Sequence, residues 1–110
     1  MPDVMADRRD APRYALILVA EITELSSGTR TIARTADVSR SGCYVDTLNP
    51  FSVTTQIRLR LTHVGETFET EGRVVYVSPG LGMGIRFLEY VTEGQLAVLD
   101  RWLANAGKRG

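Results

Sequence analysis

Between residues 54 and 62 apolar and polar positions alternate: Ile57, Leu59 and Leu61 fall on one face, Gln56, Arg58, Arg60 and Thr62 on the other. A period of two is the signature of a strand with one buried side. Five further segments read as strands. Residues 14–25, dense in Leu, Ile and Val, predict a strand buried on both faces or strongly curved. The Ser-Ser-Gly-Thr turn at 26–29 makes it a hairpin with residues 30–38. Residues 39–42 break the pattern, with Gly42 supplying a positive φ or a close backbone approach. A short third strand, 43–48, ends at Asn49 and Pro50, and 54–62 is the fourth. Val64, Gly65 and Glu66 turn the chain into a fifth strand, 68–77, stopped by Ser78, Pro79 and Gly80. The sixth, 82–87, places Met83, Ile85 and Phe87 on one face. Glycines at 80, 82 and 84 imply close packing, a bulge or a nearby ligand.

Thr92 followed three residues later by Gln95 is a capping box, and Leu96, Leu99, Trp102 and Leu103 continue at helical spacing. Six short strands, one terminal helix and no βαβ alternation predict an all-β dominated fold, a closed or nearly closed six-stranded antiparallel β-barrel with a C-terminal α-helix. Closure leaves no exposed sheet edges. The expected organisation is an N-terminal arm over residues 1–13, a barrel domain with its helix over 14–106, and a frayed tail over 107–110.

Composition narrows the function. The chain has 110 residues, with 13 basic and 13 acidic side chains and 44% hydrophobic residues. That is one ordinary globular domain, which buries roughly two-thirds of its unfolded surface without a disulfide or metal. Zero net charge argues against DNA, RNA or another long polyanion as partner. No apolar run approaches the ~18 residues of a membrane span, and the first ten residues lack the apolar core of a signal peptide. The single cysteine, Cys43, fits a reducing compartment, and the chain reads as cytoplasmic. One histidine, His63, and no nucleophile motif leave little equipment for catalysis or metal binding, so no catalytic or metal site and no enzyme activity are expected. Lys108 is the only lysine, so twelve of the 13 cations are Arg. Codon bias accounts for most of that excess, and position decides the rest.

Two polar clusters exceed what a barrel needs. Arg8, Arg9 and Arg13 crowd the arm, and Asp37-Val38-Ser39-Arg40-Ser41-Gly42 lies between the second and third strands. Ordering three long side chains costs entropy that a dianionic ligand offsets. Guanidinium forks match phosphate or the O6 and N7 edge of guanine, and a carboxylate accepts from guanine N1–H and N2–H₂. Arg9-x-x-x-Arg13, then Asp37-x-Ser39-x-x-Gly42 some 25 residues later, then Gly82-Met83-Gly84-Ile85-Arg86-Phe87, resembles the PilZ domain family over residues 8 to about 104.

The resemblance implies a PilZ-like split barrel that binds the bacterial second messenger cyclic di-GMP. It implies that Arg9 and Arg13 clamp the ligand from a mobile arm, while Asp37, Ser39 and Gly42 form the platform. Arg8, directly before the clamp motif, implies a stacked pair of ligand molecules per chain. Arg40 is an additional candidate contact, as is Gly84. Tyr76 is a candidate for stacking on guanine, although packing in the core is the stronger expectation for it. No other cofactor is implied. The expected role is a stand-alone adaptor, monomeric or weakly dimeric, whose arm is pinned by ligand and whose altered surface is read by a protein effector. The alternatives are a PilZ-type protein-interaction module that does not bind nucleotide, and a small barrel for single-stranded nucleic acid. The second wants a basic groove with several exposed aromatics, which this composition does not offer.

Overall fold

The computed structural model describes residues 11–88 and 91–109. Among these described residues seven strands and one helix follow in order: β1 (Tyr14–Ala15), β2 (Val19–Glu24), β3 (Arg30–Val38), β4 (Gly42–Asp46), β5 (Gln56–His63), β6 (Glu66–Ser78), β7 (Gly82–Phe87) and α1 (Glu93–Arg109). Every pairing is antiparallel. The ring runs β3-β2-β5-β6-β7-β4 and closes where β4 pairs with β3, giving the six-stranded barrel; β1 is an additional short strand on β3.

The alternation in β5 is realised in full: Ile57, Leu59 and Leu61 are wholly buried while the residues between them are exposed. They join Ala20, Ile22, Val45, Phe68, Val74, Met83 and the other inward residues in one core. On the outer face, Arg58 and Arg60 stand directly opposite Glu71 and Glu69 and pair with them at 3.4 and 2.7 Å. Cross-strand opposite charges of this kind support a sheet modestly.

The continuous first strand expected over 14–25 is divided. Tyr14 and Ala15 pair with Val38 and Asp37, but Val19 pairs with Arg34, so one side spends an additional residue. The Thr35 side chain fills the break: its hydroxyl donates to the Leu16 carbonyl at 2.6 Å and accepts the Leu18 N–H at 2.8 Å. A run of apolar residues gives no hint of this, because the partner is a hydroxyl on another strand.

The helix differs from expectation at both ends. Thr92 Oγ1 accepts the Gln95 N–H at 3.3 Å, which is half of a capping box. The Gln95 side chain does not turn back to Thr92; its Oε1 accepts the Glu69 N–H at 2.6 Å. Beyond Gly72, β7 no longer pairs with β6, so this contact satisfies a backbone donor on a free strand edge. At the other end α1 includes residues 107–109, expected as a frayed tail. Gly107 lies beside the Tyr14 ring, which a Cβ there would meet at 3.4 Å. Leu99, Trp102 and Leu103 join the barrel core. Trp102 Nε1 donates to Glu66 at 3.1 Å, and Arg101 pairs with the same carboxylate. The Arg101 hydrogen bond is the main reason the Glu66 carboxyl lies below its ordinary pKa.

Val64 and Gly65 form the two-residue β5–β6 connection, both with positive φ, at 46° and 80°. Val64 is 86% exposed, so a β-branched residue holds left-handed backbone with no burial to offset it. Asn suits that position of a two-residue hairpin. Val64→Asn is therefore expected to stabilise the protein by about 0.5–1 kcal/mol, seen as a higher midpoint in urea unfolding with an unchanged slope.

Candidate functional site

Two bulges shape one patch of the outer surface. In β3, Thr35 pairs with Val45 and Asp37 with Tyr44, leaving Ala36 as the additional residue. Thr35 and Val38 both point inward, so strict alternation from Thr35 would bury Asp37; the bulge turns its carboxylate out. In β6, Val74 pairs with Ile85 and Tyr76 with Gly84, leaving Val75 as the additional residue. Val74 is buried while Val75 and Tyr76 are both exposed, so the same device turns Tyr76 out. The expectation that Tyr76 packs in the core is corrected on that ground.

The patch is a cleft of about 260 Å³ that includes Arg13, Ser39, Gly42, Tyr76, Gly84 and Arg86. Arg13, just before β1, donates from Nε and Nη2 to Asp37 Oδ1 at 3.2 and 2.9 Å. The clamp motif and the platform motif thus meet through one ion pair. Hydrogen bonding to Asp37 raises the Arg13 pKa above its ordinary value, against a smaller opposing effect of burial, and the Tyr76 hydroxyl adds to the rise. A clamp wholly free of the barrel is not what the structure has: Arg13 is already held.

Ser39 is nearly buried and serves the turn between β3 and β4. Its N–H donates to the Gly42 carbonyl at 2.8 Å, and its Oγ accepts the Ser41 N–H at 3.1 Å. Gly42 provides close approach and not a positive φ: a Cβ there would lie 2.2 Å from the Ile85 carbonyl oxygen. Behind it, burial pushes the Cys43 thiol up to about 12, with Asp37 adding and Arg13 opposing, so the thiol stays protonated and unreactive at neutral pH.

Tyr76 is the aromatic residue of the cleft lining, and a second ring stacks on it from outside that lining. Tyr44 and Tyr76 flank Gly84 across the ladder, their ring centroids 5.9 Å apart and their planes 23° from parallel. A Cβ on Gly84 would meet the Tyr76 ring at 2.3 Å, and one on Gly82 would meet the Tyr44 hydroxyl at 2.7 Å. These glycines let two rings lie flat on the sheet. Tyr44 is absent from the sequence expectations because it sits in an apolar run; only its cross-strand neighbours place it against Tyr76.

Arg40 is not in the cleft. Its guanidinium pairs with Asp100 of α1 at 2.9 Å, tying the β3–β4 turn to the helix across 60 positions of sequence. In this structure the Arg40 guanidinium is engaged with the helix and is not part of the cleft lining. Arg8 and Arg9 lie outside the described residues. Arg86 lines the cleft and was not among the expected site residues, although the Gly-x-Gly-Ile-Arg-Phe strand contains it.

A family model, the PilZ domain, matches residues 7–105. The chain belongs to the PilZ domain family. Solved PilZ-type structures are similar in fold. The PilZ domain of YcgR from Escherichia coli, solved with c-di-GMP, has a TM-score of 0.75 at 15% identity, covering 93% of each chain. The PilZ domain of CeSA from a cellulose-synthesizing bacterium has a TM-score of 0.64 at 19% identity, covering 83% of this chain and 93% of that one. The Bacillus subtilis inhibitor of motility, MotI/DgrA, has a TM-score of 0.72 at 18% identity; the match covers 92% of this chain but only 50% of the Bacillus protein. No curated protein matches. At these identities the likeness establishes the PilZ barrel and its helix. No helix among the described residues is long and apolar enough to cross a membrane.

Proposed function

We propose that this PilZ domain is a receptor for cyclic di-GMP that acts by binding and not by catalysis. The observation that carries the reading is the Arg13–Asp37 ion pair at the mouth of a cleft floored by Tyr76. It brings together, from positions 24 apart, a guanidinium suited to phosphate and a carboxylate suited to guanine N1–H and N2–H₂. Asp37 is a hydrogen-bond acceptor aimed at solvent, Gly42 leaves room at the platform, and the Tyr76 ring offers a stacking face.

In this reading Arg13 exchanges part of its bond to Asp37 for a ligand phosphate, and the freed carboxylate meets guanine. Arg8 and Arg9 contribute from the segment before Arg13 and admit a second, stacked ligand molecule. The rearranged surface is then read by a protein effector. Titration calorimetry with cyclic di-GMP tests this. Binding at micromolar concentration or tighter, with two ligands per chain, is the expected result. Absence of heat at that concentration, with the protein shown to be folded, removes the receptor reading in favour of an interaction module that does not bind nucleotide.

A further inference from the structure

On the outer face of the barrel the charges are matched across the ladder, with one exception. Arg58 faces Glu71, Arg60 faces Glu69 and Glu21 faces Arg60. Arg73, in contrast, lies directly opposite Arg86. Like charges in such a pair repel and destabilise a sheet. The ion pairs among the described residues use Arg13, Arg30, Arg40, Arg58, Arg60 and Arg101, and neither Arg73 nor Arg86 takes part in one.

Position gives the exception a meaning. Arg86 is paired on its other side with Gly42, the platform glycine, and it lines the same cleft as Arg13. Arg13 enters from the β1 and β3 side, Arg86 from β7, with β4 between them. The cleft thus has a cationic group on each side of the platform. A cyclic dinucleotide presents two phosphodiesters on opposite sides of its ring, so a cationic group on each side of the cleft can meet one of them.

We propose that Arg86, backed by Arg73, is a second anion subsite of this cleft, holding a phosphodiester of the bound cyclic dinucleotide that Arg13 does not hold. The inference rests on the receptor reading above. The ligand neutralises the repulsion between the two guanidinium groups, so the uncharged variants are more stable when empty and weaker when binding.

The full chain and its Arg86→Gln and Arg73→Gln variants are compared by calorimetry with cyclic di-GMP at low and high salt, and by thermal melting without ligand. Arg86→Gln is expected to weaken binding about tenfold or more. It is also expected to flatten the salt dependence and to raise the ligand-free melting temperature by about 1–4 °C. Arg73→Gln moves all three in the same direction by less. Unchanged affinity in both variants, with the unsubstituted chain binding, removes the subsite and leaves the receptor reading intact. A lowered ligand-free melting temperature in both assigns the pair to the fold and also overturns the proposal. An unsubstituted chain that does not bind overturns the receptor reading, and this inference with it.

Discussion

Arg13→Ala is expected to weaken cyclic di-GMP binding by about tenfold to a hundredfold, the loss of charge-assisted hydrogen bonds worth roughly 1.5–3 kcal/mol. The same change should hardly alter stability. The Arg13–Asp37 pair has both partners in contact with solvent, at 53% and 34% side-chain exposure, and pairs of that kind contribute about 0–1 kcal/mol. Arg13→Lys tests the geometry: a single ammonium cannot reproduce two parallel bonds to one acceptor group, so it should recover charge without recovering affinity. Calorimetry and thermal melting on the same samples separate the two effects. Equal affinity in Arg13→Ala and the parent would remove Arg13 from the clamp, and a large fall in melting temperature would reassign it to the fold.

Gly42→Ala is expected to produce the larger change in stability. A Cβ at 2.2 Å from the Ile85 carbonyl oxygen meets backbone, which cannot swing aside as a side chain can. β4 and β7 must part locally, at the strand pair that also carries Gly84 and Arg86. Overpacking of this kind costs about 1–3 kcal/mol or more. For a domain of this size that corresponds to a fall in melting temperature of about 4–12 °C. Because the displaced strand edge lines the cleft, ligand affinity, on the receptor reading, should fall with stability. A melting temperature within about a degree of the parent would show that the strands separate at little cost, contrary to the packing described.

Legibility from sequence followed the range of the interactions. β5 and the inward set of β7 are fixed by side chains two residues apart, so their faces could be read directly. The placement of Asp37 and Tyr76 could not, because each depends on a bulge that is defined only against a partner strand: Ala36 against β4, Val75 against β7. Two-residue periodicity in fact points Tyr76 inward. Arg40 shows the same limit in another form, since its partner Asp100 is 60 positions away and nothing near Arg40 announces it. Gly42 and Gly84 were visible as unusual, but the distinction between positive φ and close approach needed the Ile85 carbonyl and the Tyr76 ring in place.

The Arg excess also resolves by position. Arg58, Arg60 and Arg101 are used in ion pairs across the outer surface, as structural cations in any barrel would be. Arg13 and Arg86 differ because they share a cleft. A global charge of zero coexists with that local concentration, since the matching carboxylates lie mostly on other strands.

In the ring of strands β3 and β4 meet at a bulged joint, and Asp37 and Gly42 stand on opposite strands of it. A ligand that touches both is a latch. On the receptor reading, its binding free energy acts across the β3–β4 pair, so messenger concentration sets how firmly these two strands are held together. The signal received is then a mechanical one, a change in the tightness of a single joint, and it needs no large displacement to be felt at the surface around it.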